Sequence, residues 1–134
     1  MSKIKKIANI DNFGIFKSFD WDSNLKYQNK QGQDEIYNFK DINILYGRNY
    51  SGKTSLSKII RSLEKRVIPS KYDQPEFKIE LSDGSIISQN DLATFSYPIH
   101  SYNSDFVKEN LKFIHDENAT IESFSVTLGC LLYT

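Results

Sequence analysis

Residues 47–54 read Gly-Arg-Asn-Tyr-Ser-Gly-Lys-Thr, a full match to G-x-x-x-x-G-K-[ST]. No other stretch constrains the fold as strongly, because this motif works only between a strand and a helix. Both flanks comply. Ile42-Asn43-Ile44-Leu45-Tyr46 reads as a buried strand, and Leu56, Ile59, Ile60 and Leu63 recur as one face of a helix over 53–65. Such a loop cradles the phosphates of a nucleoside triphosphate. Gly47 lets the chain leave the strand, and Gly52 lets the backbone approach the phosphates. The amides from about Asn49 to Ser55, with Tyr50 and Ser51 between them, form a nest of donors at the helix N-terminus. Lys53 reaches the β- and γ-phosphates, Thr54 offers a hydroxyl to Mg²⁺, and Ser55 can donate to the α-phosphate. Arg48, Asn49 and Tyr50 fill variable positions to which the general motif gives no role.

At 134 residues the chain is long enough for one modest domain. Its 17 basic and 17 acidic residues cancel, so no global field draws it to nucleic acid or to an anionic membrane. Lys3, Lys5 and Lys6 make a small basic start, read as a solvated face. Cys130 is the single cysteine, which rules out an intrachain disulfide and fits a reducing compartment. No apolar run is long enough to span a bilayer and no signal-peptide core is visible, so the expected location is cytoplasmic.

Ile4, Ile7, Ile10, Phe13, Phe16, Phe19 and Trp21 point to two strands, about 4–10 and 14–21, with a break at Asn12-Phe13-Gly14. Residues 22–40 are polar and read as a loop or irregular hairpin. After the helix, Phe77–Leu81 alternates strictly, Asp83-Gly84 marks a turn, and Ser85–Ser88 starts a return strand. Tyr97–Tyr102 reads as another strand, Asp105 as the cap of a helix from Phe106 to Phe113, and Ile121–Leu128 as a last strand. The expected class is mixed α/β: a partial P-loop fold whose mixed sheet carries the loop strand and helix, with an antiparallel hairpin subdomain. That is the layout of an ABC-type ATPase head.

The opening stretch, residues 4–14 with its Ile-x-x-Ile-x-Asn-Phe-Gly pattern, resembles the first strand of RecF- and SMC-like ATPases. Those families usually carry glycine where this chain has Tyr50. Residues 47–64 and the stretch Tyr102-Asn103-Ser104-Asp105-Phe106-Val107-Lys108-Glu109-Asn110-Leu111 look more like bacterial anticodon nucleases of the PrrC type. The likeness runs from about residue 4 to Gly129, an N-terminal lobe of an ABC-type NTPase domain, and stops at the divergent tail 130–134. It implies an NTPase region that responds to ATP or GTP, and to dTTP, with Mg²⁺. It further implies a nuclease region beyond it that cuts a tRNA anticodon loop, a link to type I restriction–modification complexes and phage defence, and a homo-oligomeric site completed in trans. Asn103 lies where ABC-type ATPases hold a glutamine against Mg²⁺ and the attacking water; the other reading is an N-cap or turn asparagine.

Residues for hydrolysis are missing from this picture. Phe113-Ile114-His115-Asp116-Glu117 is the one Walker B candidate and reads better as a helix end and polar loop. No Leu-Ser-Gly-Gly-Gln-like signature is visible, and His100 and His115 match no nuclease residue. The apolar tail Cys130–Thr134 suggests a frameshift or early stop, hence the remnant of a longer gene. Two other functions stay open: part of a RecF/SMC-like DNA-repair ATPase, or a non-catalytic nucleotide-binding or interaction fragment. Tyr27 or an N-terminal aromatic is available to stack on a base, with nothing to choose between them.

Overall fold

Apolar residues every third position, as in Ile4, Ile7, Ile10 and Phe13, would fall on alternating faces of a regular strand. The computed structural model, which describes residues 2–110, shows how they reach one side. Strand β1 (Ile4–Phe13) runs antiparallel to β5 (Glu76–Leu81), and the register slips between Ile4 and Lys6 and again between Ile7 and Asn9. These irregularities set Ile4 opposite Leu81, Ile7 opposite Ile79, and Ile10 opposite Phe77. A threefold spacing on one strand thereby meets a twofold spacing on its neighbour. Asn12, at φ 52, turns the chain once more, and Phe13 is fully buried.

Two compact units divide the chain, the first ending at His100 and the second beginning at Ser101. In the first, β2 (Phe16–Asp20) and β6 (Ile86–Ser88) complete an antiparallel sheet of order β2-β1-β5-β6. A short helix α1 (Trp21–Asn24) follows β2, capped by Asp20. The polar stretch after it forms a small hairpin of β3 (Lys26–Gln28) and β4 (Asp34–Ile36). Helix α2 (Lys53–Lys65) places Ile59 and Leu63 in one cluster with Ile7, Ile10, Phe13, Phe77 and Ile79. At an order of 2 kcal/mol for each large side chain, this cluster dominates the stability of the unit.

The mixed α/β class and the hairpin after the helix are as expected, but the sheet is antiparallel throughout the described residues. The expected strand 42–46 is not formed. Asn43 closes a turn by accepting from the Lys40 amide and donating to the Lys40 carbonyl. On either side of Asn43, Ile42, Ile44 and Tyr46 are 85%, 89% and 96% exposed. A strand apolar on both faces exists only where neighbours supply its ladder and cover its sides. Both edges of β1 are taken by β2 and β5, and no described strand lies beside 42–46. Tyr97–Tyr102 is not a strand either; Pro98 has no amide to give a ladder.

Lys5 and Lys6 do not form a free basic face. Lys6 is buried and donates to both carboxylate oxygens of Asp22 at 2.7 and 2.8 Å, with Glu80 at 3.3 Å. Lys5 reaches Glu80 at 2.6 Å, and Lys3 pairs with Asp41. The Asp22 and Glu80 carboxylates raise the Lys6 ammonium above its ordinary value despite its burial.

In the β5–β6 turn, hydrogen bonds from the Ser2 hydroxyl, the Ser85 hydroxyl and the Ser85 amide hold the Asp83 carboxyl down at about 2, against an ordinary 3.8. A depressed carboxyl stabilises the fold fully above its unfolded value and loses that contribution as pH falls through the folded one. Titration of Asp83 by carboxyl NMR is expected to show a midpoint of about 2. Asp83→Asn is expected to flatten the fall in stability between pH 3.8 and about 2. A midpoint at 3.8 would mean that these bonds do not persist in solution.

In the second unit, helix α3 (Ser104–Asn110) begins two residues earlier than expected. Its cap is Asn103, not Asp105: the Asn103 Oδ1 accepts from the amides of Asp105 and Phe106 at 3.1 and 3.0 Å. Asp105 stands in the first turn instead. The expected strand 121–128, the Walker B candidate 113–117 and the tail 130–134 lie outside the described residues. Among the described residues no helix is long and apolar enough to cross a membrane.

Candidate functional site

Helix α2 starts on Gly52, at φ 97 and ψ −4, with no side chain capping its first amides and no acidic residue in its first turn. Most helices fill that end with a serine, aspartate or glutamate. Leaving it open keeps the donors of Lys53, Thr54 and Ser55 and the positive end of the helix available to an anion. Glycine is required at 52 for two reasons. Its φ lies in the left-handed region, and a Cβ there would stand 2.5 Å from the Phe16 ring and 3.3 Å from Ile15 Cδ1.

Residues 48–51 form a tight turn, closed by the Ser51 amide donating to the Arg48 carbonyl at 3.2 Å. Tyr50 is the third residue of that turn and adopts φ 63. Turns with a positive φ at this position favour glycine or asparagine, so tyrosine is strained here. Lys53 arches back over the loop. Its ammonium donates to the carbonyls of Gly47 and of Arg48, the latter at 2.7 Å, and lies 3.4 Å from Ser51 Oγ. Gly47 makes room for this arrangement: a Cβ would meet Ser51 Oγ at 2.3 Å.

Together these elements line an open pocket of about 410 Å³, walled by Asn49, Tyr50, Ser51, Gly52, Lys53, Thr54, Ser55 and Ile15. Lys53 and Thr54 are exposed at its surface, and Ser55 is buried at its base. Gly47 and Arg48 stand outside the lining and act through their carbonyls on Lys53, while the Arg48 side chain is exposed. A cationic ammonium, an uncapped helix start and a hydroxyl at the rim make a site for several phosphates and a hard cation.

One sequence comparison bears on this geometry. The model of a protein family described as AAA domain matches residues 13–129. The chain belongs to this AAA domain family. Neither the comparison with curated proteins nor that with solved structures gave a match. Membership of this family gives a nucleoside triphosphate as the ligand class of the domain. Thr54 is the residue that would hold Mg²⁺, which would take its other oxygens from phosphate and water.

Sequence reasoning missed Ile15. It comes from the β1–β2 turn, far from the loop in the chain, and half of its surface is exposed. The same turn places Gly14 on the first turn of α2, where a Cβ would stand 2.1 Å from Ser55 Oγ. Nothing in the spacing of residues 12–16 shows that this turn buttresses residues 52–55 of the AAA domain. Asn103 belongs to the second unit and spends its Oδ1 on the cap of α3. Tyr27 is not at the pocket. Its ring packs 4.6 Å from that of Tyr37, and its hydroxyl bonds Glu35 on the neighbouring strand.

Proposed function

We propose that this AAA domain is the nucleotide-binding lobe of an anticodon nuclease of the PrrC type. It binds ATP or GTP, and dTTP, with Mg²⁺, and in the whole protein that binding controls a tRNA-cutting region. The carrying observation is the pocket at the start of α2, where Lys53 stands over a glycine-led, uncapped helix end. Tyr50 supports the narrower family reading. The turn geometry favours glycine, the residue RecF- and SMC-like loops usually have, and the loop with tyrosine in that place resembles the anticodon nucleases instead. A second copy completing the site and association with a restriction–modification complex belong to the same proposal.

The test is a competition panel with the purified chain and Mg²⁺. ATP, GTP and dTTP are expected to compete for one site. Failure of dTTP to bind while ATP binds would reject the anticodon-nuclease reading and leave the ATPase-family reading standing. The chain alone is expected to leave tRNA intact. Anticodon-loop cutting by this chain would overturn the assignment of the nuclease to another region.

A further inference from the structure

We propose that Tyr50 and Ile15 hold the nucleoside of the bound triphosphate, and that Tyr50 makes the pocket prefer a nucleotide over bare polyphosphate. This rests on the reading of the loop as a nucleotide site. It assigns a base-contacting role to a position to which the general motif gives none.

The pocket divides by chemistry. Asn49, Ser51, Lys53, Thr54 and Ser55 offer polar groups, and the amides at the start of α2 add donors. Those groups match phosphate oxygens. Ile15 and Tyr50 are its two large apolar side chains, and they come from different elements, the β1–β2 turn and the loop itself. Ile15 is 50% exposed and Tyr50 is 93% exposed, so neither side chain is consumed by the core. A nucleobase is the part of the ligand that gains from such walls, because its faces are apolar and stack on aromatic rings. The phosphates gain nothing from them.

Backbone geometry adds an independent argument. Tyr50 holds φ 63, where glycine would sit without strain and asparagine with little. Its ring makes no packing contribution that would offset the strain, being almost wholly exposed. Strain kept at an exposed position in a pocket points to a side chain used by the ligand. The other exposed aromatics do not compete for the role. Tyr27 and Tyr37 pack on each other, Tyr97 packs on Phe95, Tyr102 packs on Phe106, and Tyr46 is absent from the lining.

The experiment compares ATP, dTTP and inorganic tripolyphosphate by calorimetric titration in Mg²⁺, using the wild-type chain, Tyr50→Asn, Tyr50→Phe and Ile15→Ala. Asparagine tolerates the left-handed backbone and removes the ring; phenylalanine keeps the ring. Tyr50→Asn is expected to weaken both nucleotides by about tenfold or more and tripolyphosphate by less than about twofold, the size expected of a lost base–aromatic stack. Tyr50→Phe is expected to stay within about twofold of wild type on all three, with Ile15→Ala in between. Melting temperatures of the Tyr50 variants should not fall. Equal losses for nucleotide and tripolyphosphate would overturn the proposal, as would no loss at all. Wild-type chain that binds tripolyphosphate as tightly as ATP would overturn it and leave the phosphate loop intact. Wild-type chain that binds none of the three would bring down the nucleotide-site reading and this inference with it.

Discussion

Lys53→Ala is expected to weaken Mg-ATP binding by about a hundredfold or more while leaving the fold unchanged. Among the described residues the lysine is the one ammonium in the pocket, and it already stands over the loop. Bonds from an ammonium to phosphate are charge-assisted and worth about 1.5–3 kcal/mol each. Losing contact with two phosphates therefore amounts to at least about 3 kcal/mol, or two decades in affinity. Stability should move by less than about 0.5 kcal/mol, because Lys53 is exposed and the carbonyls it leaves can be hydrated. Titration calorimetry and a thermal melt on the same preparation check both halves. Undiminished binding by the variant would place the nucleotide elsewhere. A large loss of stability would recast Lys53 as a structural clamp of residues 47–51.

Gly14→Ala is expected to be strongly destabilising, although Gly14 lies outside the loop. At φ 63 an alanine carries backbone strain, and its Cβ would stand 2.1 Å from Ser55 Oγ and 3.0 Å from Ser55 Cβ. Strain of about 1–2 kcal/mol and overpacking of about 1–3 kcal/mol together suggest a loss of about 2–5 kcal/mol. The melting point should fall by about 10 °C or more. Nucleotide affinity should fall too, because Ser55 and the first turn of α2 must shift to admit the methyl. Ser55→Ala removes the nearest clashing atom, so the double variant should recover part of the loss. Strict additivity of the two changes would refute the steric coupling.

How much of this was legible beforehand depends on whether the signal was local. Helix 53–65 is legible in the sequence because its apolar spacing and its glycine start are local to the segment. The β5–β6 hairpin was legible for the same reason, from Phe77, Ile79 and Leu81 in strict alternation and Asp83-Gly84 at the turn. Strand 42–46 was not, because its apolar pattern states a need for neighbours and cannot supply them. Its exposed isoleucines show that requirement unmet among the described residues. Asn103 against Asp105 was a choice between two good caps one short step apart, decided by which side chain reaches the free amides.

The loop at 47–54 carried its chemistry in the sequence: glycines where the backbone must turn or approach, a lysine for charge, a threonine for a hard cation. Those demands are met by residue type and spacing, so no fold is needed to read them. The threefold spacing of Ile4, Ile7 and Ile10 was equally visible, but its meaning was not. Only pairing with β5 shows that irregularities in register turn it into one buried face. Only the same sheet carries the β1–β2 turn to the start of α2, setting Gly14 on Ser55 and Ile15 at the rim of the pocket. Contacts of that kind join residues some forty positions apart through the packing of two elements, and no local pattern in a chain records them.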